Sequence, residues 1–542
     1  MWRHDYVPAG GSLALSALLA AIPVFTLLFL LGVKRKPAWV ASLCGLGAAT
    51  AVAAAVYGMP AGQLAGAVAY GAAFGLFPIG WVVFAAILLY RVTVDSGKFE
   101  IIKDSVGNLT RDRRLQALLI AFAFGAFIEG AAGFGTPVAV AAAMLTGLGF
   151  SPFYAAGICL LANTAPVAFG SIGTPILTLH AITGLPIEAL SACVGRICAP
   201  ISLIVPAYLI AVMGGWKSLK GVLPAAALCG AAFAGTQFVV SNYVAAQLTD
   251  ILSSLAAIGA LIVLFKVWQP RDEDLHEKVA PGRRHTAGEL ISAWGPYLLL
   301  VVFVLAWGAR PVQSWLNTVS VAFPWPGLHN AIERVPPVVA KPSGYAAMYN
   351  FNALSASGTA CFFAALLSVV WVRMGWRQFC GVFMRTVRQL LLAELTIAAV
   401  LALAFLMNYC GATATLGLAF AATGALFPFF SALLGWLGVF LTGSDTSANA
   451  LFGNLQVITA GKLGMNGVLM ASANSAGGVM GKMISLQSVA VAAAATAMKP
   501  EDEARLFRFT LRHSVLLAAL IGLIVVFYAY VAPGLAPGGA VK

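Results

Sequence analysis

The chain has 542 residues, 61% of them hydrophobic and only 9% charged, with a mean hydropathy of +0.91. Soluble domains carry about a quarter charged residues, so a water-soluble fold is excluded; apolar stretches able to cross a ~30 Å hydrocarbon core recur from Leu13 to Val531 and leave no room for a soluble catalytic or signalling domain. The formal charge of +13 does not mark a nucleic-acid partner, because the basic residues cluster in short loops between apolar runs, the positive-inside pattern of a multi-pass protein of the bacterial cytoplasmic (inner) membrane.

The first apolar run, Leu13 to Leu31, ends in Lys34-Arg35-Lys36 and not in a small-residue cleavage site, so it reads as a retained helix. Helices follow at 38–57 and 64–90. The basic run Arg91 to Arg114 then opens a long apolar region, 115–180, that glycine, proline and polar residues interrupt. Further helices are expected at 188–213, 222–241 and 246–267, and the charged linker Gln269 to Glu289 lies near the midpoint of the chain. A helix near 294–315 runs into an external loop, 308–352, with several prolines and tryptophans, which suits a cap. Helices at 354–372 and 389–408, a second interrupted region at 412–497 and a helix at 514–531 complete the chain. Placing Lys34 to Lys36, Arg91 to Arg114 and Lys266 to Arg284 in the cytoplasm puts both termini outside. The eight cysteines lie in or beside apolar segments with no C-x-x-C spacing and read as small core residues.

The two interrupted regions resemble each other. Phe127-Ile128-Glu129-Gly130 aligns with Phe440-Leu441-Thr442-Gly443 at an offset of 313, and Ala162-Asn163-Thr164-Ala165 with Ala473-Asn474-Ser475-Ala476 at 311. Upstream, Ser96-Gly97 follows a helix that ends inside, whereas its counterpart Cys410-Gly411 follows one that ends outside. The expectation is an all-α polytopic membrane protein of about 12 transmembrane helices plus two re-entrant or broken-helix regions, in two inverted-topology repeats, 1–215 and 291–542. A linking helix pair and cytoplasmic loop, 216–290, joins them. Inverted repeats with discontinuous segments at matching places point to alternating access, with substrate held where the breaks meet. Small-residue helix packing would explain many glycines without any site, but not polar residues gathered at both breaks.

In the first region, Glu129 sits in Gly125-Ala-Phe-Ile-Glu129-Gly130-Ala-Ala-Gly133-Phe-Gly135-Thr136-Pro137, a segment whose glycines and proline disfavour an unbroken helix. A charged carboxylate there costs ~3 kcal/mol on insertion scales, so Glu129 is expected to be paired, wetted or protonated, and a group of that kind can load and release a proton as the site opens to either side. The alternative is a carboxylate that only bonds backbone amides at the break. Thr442-Gly443-Ser444-Asp445-Thr446-Ser447-Ala448-Asn449 is dense in hydroxyls and amides that can hold a carboxylate and a hydroxyl at a helix start. Asp445 is a second candidate for proton coupling, or else an N-cap. Gly130, Gly133, Thr136, Thr442, Ser444, Thr446 and Asn449 are candidate substrate contacts, and Asn163-Thr164 and Asn474-Ser475 offer matching polar groups that otherwise glue helices together. Among the cations, Lys482 suits a partner for Asp445 or an anionic substrate and Arg196 a bidentate carboxylate clamp, either one with a helix-gluing ion pair as its alternative. No metal or cofactor site is expected. Gly477 to Lys482 falls short of a phosphate loop by one spacer residue and a Ser/Thr, and H-E-x-x-H and G-x-S-x-G are missing, which argues against an enzyme.

The stretches Gly125 to Ile176, Gly435 to Gln456 (GWLGVFLTGSDTSANALFGNLQ) and Asn474 to Ser488 (NSAGGVMGKMISLQS), with Asp250 to Ser254, Trp268-Gln-Pro270 and Thr359 to Trp371 between them, resemble the signature stretches of the lactate permease family, which includes glycolate permeases. That resemblance spans nearly the whole chain and implies uptake of L-lactate, often also D-lactate and glycolate, with a proton. The residues alone reach an inverted-repeat secondary transporter for a small anionic solute. A sodium-coupled or dicarboxylate carrier, and a passive anion channel, stay open as alternatives. The partners expected are therefore a small 2-hydroxy monocarboxylate, protons and the lipid bilayer.

Overall fold

A computed structural model of the chain describes residues 1–107, 109–110, 112–133, 135–270 and 285–538; most of the charged linker, 271–284, lies outside the described residues. With no water in hydrocarbon to bond exposed amides and carbonyls, the apolar runs fold as helices. Helix α1, Leu13–Gly32, starts where Ser12 accepts from the Leu15 amide at 3.3 Å, and it packs on α2, Ala38–Ala55. The stretch expected at 64–90 is built from three pieces. They are α3, Ala61–Phe74, a π-helical turn, Gly75–Gly80, and α4, Trp81–Asp95; Phe77 leaves the helical region (φ −142°, ψ 125°) just before Pro78, which has no amide to donate. Helix α5, Lys98–Gly107, lies within the basic run.

In the first interrupted region, α6, Arg113–Gln116, is capped by Asp112, which also pairs with the Arg114 guanidinium at 2.7 Å. It continues through a π-helical stretch, Ala117–Phe124, into α7, Gly125–Ala131. The helix ends at Ala131, Gly133 and Gly135 take positive φ, and α8, Thr136–Gly147, packs back along it. Helices α9, Pro152–Ala162, and α10, Gly170–Thr183, form a pair bent by 63°. Helix α11, Ile187–Tyr243, joins the two helices expected at 188–213 and 222–241, with its geometry broken at Gly214, Gly215 and Val222, and α12, Thr249–Val267, follows.

Helix α13, Ala287–Gly308, opens with a capping box in which the Glu289 amide donates to Thr286 Oγ1 at 3.3 Å and the Thr286 amide to Glu289 Oε2 at 2.8 Å. After α14, Arg310–Leu316, the loop at 308–352 adds a small β element to the helical fold. Strand β1, Trp2–Arg3, lies parallel to β3, Ile332–Arg334, which pairs with β4, Ser343–Gly344, while β2, Val321–Pro324, runs antiparallel to β5, Met348–Phe351. The loop therefore clasps the N-terminal segment. Helices α15, Ser357–Trp371, and α16, Trp376–Cys410, lead to the second interrupted region: α17, Ala412–Phe420; α18, Phe427–Thr442; α19, Asp445–Leu463; α20, Gly467–Gly481; and α21, Leu486–Ala495. Helix α22, Pro500–Val526, ends the membrane region.

Among the described residues eleven helical stretches are long and apolar enough to span a bilayer, or twelve with the α9–α10 pair. That count already includes arms of the interrupted regions. Both regions run in one order: an arm, a glycine-bearing break, a returning arm, and a helix broken near its middle.

The tightest helix contact is α18 on α20. A Cβ at Gly435 would overlap the Asn474 carbonyl and one at Gly477 the Ala432 carbonyl, so the backbones touch and no side chain fits between them. Gly477→Val is therefore expected to destabilise the fold by about 1–3 kcal/mol, seen as a lowered thermal midpoint of the detergent-solubilised protein. Gly461→Ala on α19, with nothing within 4 Å of its added carbon, is expected to leave that midpoint unchanged.

Candidate functional site

The breaks are held by groups that satisfy the backbone they free. Past α7 the chain turns through Gly133 (φ 60°), and the Ala132 carbonyl accepts from Ser171 Oγ at 2.9 Å. Ser171 belongs to a distorted start of α10, where Ser171, Ile172 and Gly173 take left-handed φ values of 44°, 58° and 72°. A β-branched residue in that region is strained, and such strain persists only where the surroundings impose it. In the second half α18 stops at Gly443 (φ 73°), and Ser444 caps α19 by accepting from the Ser447 amide at 3.2 Å.

The charged groups gather at these breaks. Glu129, in the last turn of α7, is buried against the α9–α10 break: a Cβ at Gly170 would lie 2.6 Å from its Oε1. Asn163 stands beside the same carboxyl, but neither polar atom of its amide forms a hydrogen bond, and Glu129 Oε2 is likewise unpartnered. Asp445, buried at the first position of α19, accepts at Oδ2 from Ser475 Oγ at 2.6 Å and from Asn449 Nδ2 at 3.4 Å. Lys482 is 7% exposed, its Nζ donates to the Gly443 carbonyl at 2.7 Å, and the ammonium lies within electrostatic reach of both Glu129 and Asp445. One cation thus links the two breaks.

A buried chain of polar side chains backs the second carboxyl. Ser431 donates to Gln456 Oε1 (2.8 Å), Gln456 to Asn474 Oδ1 (3.1 Å), Asn474 to Asn449 Oδ1 (2.9 Å), and Asn449 to Ser475 Oγ (3.2 Å). Asn449 also donates to the Pro175 carbonyl on α10 at 3.2 Å, which ties the two interrupted regions together.

The structure therefore brings together Glu129, Asn163, Asp445, Asn449, Asn474, Ser475 and Lys482, with Gly130 and Gly133 lining the Glu129 side. Other candidates fall elsewhere. Thr164 Oγ1 donates to its own Leu161 carbonyl at 2.8 Å, and Thr442 Oγ1 to the Gly438 carbonyl at 2.8 Å, so both are occupied within their own turns. Ser444 acts as a cap, Thr446 is half-buried on the first turn of α19, and Thr136 lines a separate cavity of about 330 Å³ with Tyr90, Arg91 and Gln389. Arg196 does not join the cluster: Nε donates to Asn242 Oδ1 at 2.8 Å and the guanidinium reaches the Leu535 carbonyl, so it fastens α11 to the C-terminal segment.

Two acidic residues inside helical spans escaped the sequence reading. Asp250, in the first turn of α12, is 1% exposed with both carboxylate oxygens unpartnered, and it packs on the Glu129 turn: a Cβ at Gly130 would lie 2.8 Å from its Cβ. Its place at a helix start disguised it as an ordinary end-of-helix acid. Glu394 on α16 packs on Gly80. The left-handed run at Ser171 to Gly173 also carried no signal beyond its glycines.

Residues 16–532 match the family model described as L-lactate permease. The glycolate permease GlcA of Escherichia coli is 44% identical over 98% of this chain and 99% of its own length, and the L-lactate permease of Bacillus subtilis is 44% identical over 96% and 97%. The solved YdaH transporter of Alcanivorax borkumensis is similar at 15% identity and a TM-score of 0.47, over 87% of this chain and 88% of that one. The chain is a multi-pass membrane protein and belongs to the lactate permease family.

Proposed function

We propose that the protein imports L-lactate, together with D-lactate and glycolate, with protons across the cytoplasmic membrane, by alternating access of two inverted repeats around the cluster at the breaks. The observation that carries this reading is Lys482, a buried ammonium set between Glu129 and Asp445 where both interrupted regions meet. A lactate carboxylate needs a cation and its 2-hydroxyl a polar partner; Lys482 supplies the first and the unpartnered amide of Asn163 the second.

Charge supports coupling to a cation. Glu129 and Asp445 face one lysine and Asp250 stands beside Glu129, so the ionised cluster is already anionic before an anion enters it. Stacking a further negative charge there is unfavourable in a low-dielectric site, and protons on the carboxyls relieve it. Glu129, with a free oxygen and a carboxyl neighbour, is the proton carrier in this scheme, whereas Asp445 spends Oδ2 on Ser475 and Asn449 and keeps only Oδ1 without a partner. The common order of arm, break, arm and broken helix supports the inverted repeat.

In proteoliposomes, an acid-outside pH jump is expected to drive accumulation of labelled L-lactate, whereas a sodium gradient at fixed pH is not; the opposite result would favour the sodium-coupled carrier, and equilibration without accumulation a channel. Glu129→Gln is expected to keep lactate exchange and lose accumulation under the pH jump, and a variant that still concentrates lactate removes Glu129 from coupling. Lys482→Gln is expected to lower lactate uptake by about a hundredfold, with partial recovery in Lys482→Arg, the scale of a lost charge-assisted contact.

A further inference from the structure

A second polar cavity lies away from the breaks. It encloses about 340 Å³ between the N-terminal segment, the strands of the 308–352 loop and the ends of α10, α16 and α19. Its lining carries one charged side chain, Arg334 of β3. The remaining polar lining includes Tyr6, Asn408 and Asn454, and His4, whose pKa burial lowers to about 4, adds no charge near neutral pH. His4 is fixed in this role by a 2.8 Å hydrogen bond from Nε2 to the Tyr409 carbonyl and by the Tyr6 hydroxyl 3.2 Å from Nδ1.

Arg334 is set for a ligand. Its guanidinium stands 4.7 Å from the centroid of the Tyr345 ring, its Nε is buried without a hydrogen-bond partner, and no carboxylate among the described residues forms an ion pair with it. The neighbouring Glu333 instead faces Arg3 at 3.7 Å. A guanidinium stacked on a tyrosine with an empty donor edge is a bidentate seat for a carboxylate. The floor of the cavity is the contact between Asn454 Nδ2 and Asn408 Oδ1, at 3.0 Å, and Asn454 is five residues along α19 from Asn449, about 7.5 Å of helix rise. Ala181 to Gly184 of α10 form another wall, two turns from the Pro175 carbonyl that Asn449 holds. The cavity thus sits over the outer ends of the same two helices whose inner ends carry the cluster.

We infer that this cavity is a capture site for a small monocarboxylate entering from outside, anchored by Arg334 and upstream of the Lys482 site. The inference rests on the proposed transport reading for the identity of the acid. Its volume admits a three-carbon hydroxy acid with water, and its single positive charge selects anions.

The test uses the full chain in nanodiscs, an arginine-selective dicarbonyl reagent, and mass-spectrometric readout of the Arg334 peptide. L-lactate is expected to slow Arg334 modification about tenfold at saturation, in wild type and equally in Lys482→Gln, whose inner site is disabled. Equal rates with and without lactate, or protection by chloride as strong as by lactate, would overturn the inference. Arg334→Gln is expected to raise the KM for external lactate about tenfold with little change in maximal rate, partly restored in Arg334→Lys. An unchanged KM in folded Arg334→Gln counts against the site, and if that variant does not fold the labelling of wild type decides. Protection without pH-driven uptake would sink the transport reading and leave this site standing; uptake without protection does the reverse.

Discussion

A helix interrupted inside a membrane exposes amides and carbonyls that water would otherwise satisfy, and each one left bare in hydrocarbon costs several kcal/mol. The cluster at the two breaks grows from how that constraint is met. The Ala132 carbonyl takes the Ser171 hydroxyl, and the Gly443 carbonyl takes the Lys482 ammonium. Closing the second break with a lysine also settles where a buried cation stands, and a buried cation in turn favours carboxylates around it. Glu129 and Asp445 occupy those positions. The charged cluster is thus a consequence of where the chain stops being helical, and its parts depend on one another: a change at Lys482 alters the backbone closure as well as the electrostatics.

Much of this was legible in the residues. Apolar runs placed the ten helices outside the interrupted regions, because an uncharged run of membrane length has few other options. The two interrupted regions stood out because glycine and polar residues interrupt apolar sequence only where protein covers them. Boundaries were less legible. Helix α16 begins at Trp376, well before the apolar window near 389, and α22 begins at Pro500 before 514, since arginine-bearing turns are good helix formers that continue into the interface outside hydrocarbon. The π-helical turn before α4 and the small strands of the 308–352 loop follow from a proline and from pairing across distant segments, neither of which hydropathy reports. Glu129, Asp445 and Lys482 announced themselves as charges in oil. Asp250 did not, because its position at a helix start has an ordinary explanation that only packing against Gly130 removes. Arg196 had the right chemistry and the wrong neighbours, as Asn242 and the C-terminal segment claim its donors.

The two sides of the cluster differ in how fully their hydrogen bonds are spent. On the α18–α20 side, Ser431, Gln456, Asn474, Asn449, Ser475 and Asp445 bond one another in sequence, and backbone-to-backbone contact at Gly435 and Gly477 leaves them little freedom. Asp445 Oδ1 is the one buried side-chain atom of this series left without a partner, and a network so nearly satisfied holds its geometry. On the α7–α10 side, Glu129 Oε2, both atoms of the Asn163 amide and both oxygens of Asp250 have no partner, and the adjoining turn of α10 is strained. Unspent donors and acceptors in a dry site are costly, so this side gains most when a ligand or proton arrives.

That asymmetry assigns different work to the two halves. In the proposed transport reading, a substrate beside Lys482 has its charge partner on the α18–α20 side, where the Gly443 carbonyl fixes the ammonium, and its hydroxyl partner on the α7–α10 side, at Asn163. In that reading binding satisfies groups left bare on α7 and α10, and strain at Ser171 to Gly173 lowers the cost of leaving the present arrangement. Asn449, which belongs to that network yet holds the Pro175 carbonyl of α10, hydrogen-bonds to both sides. A shift of α10 must either carry α19 with it or break that bond and the packing of Leu179 against Gly453, so the two helices are held together at the cluster and again towards the cavity that Arg334 lines.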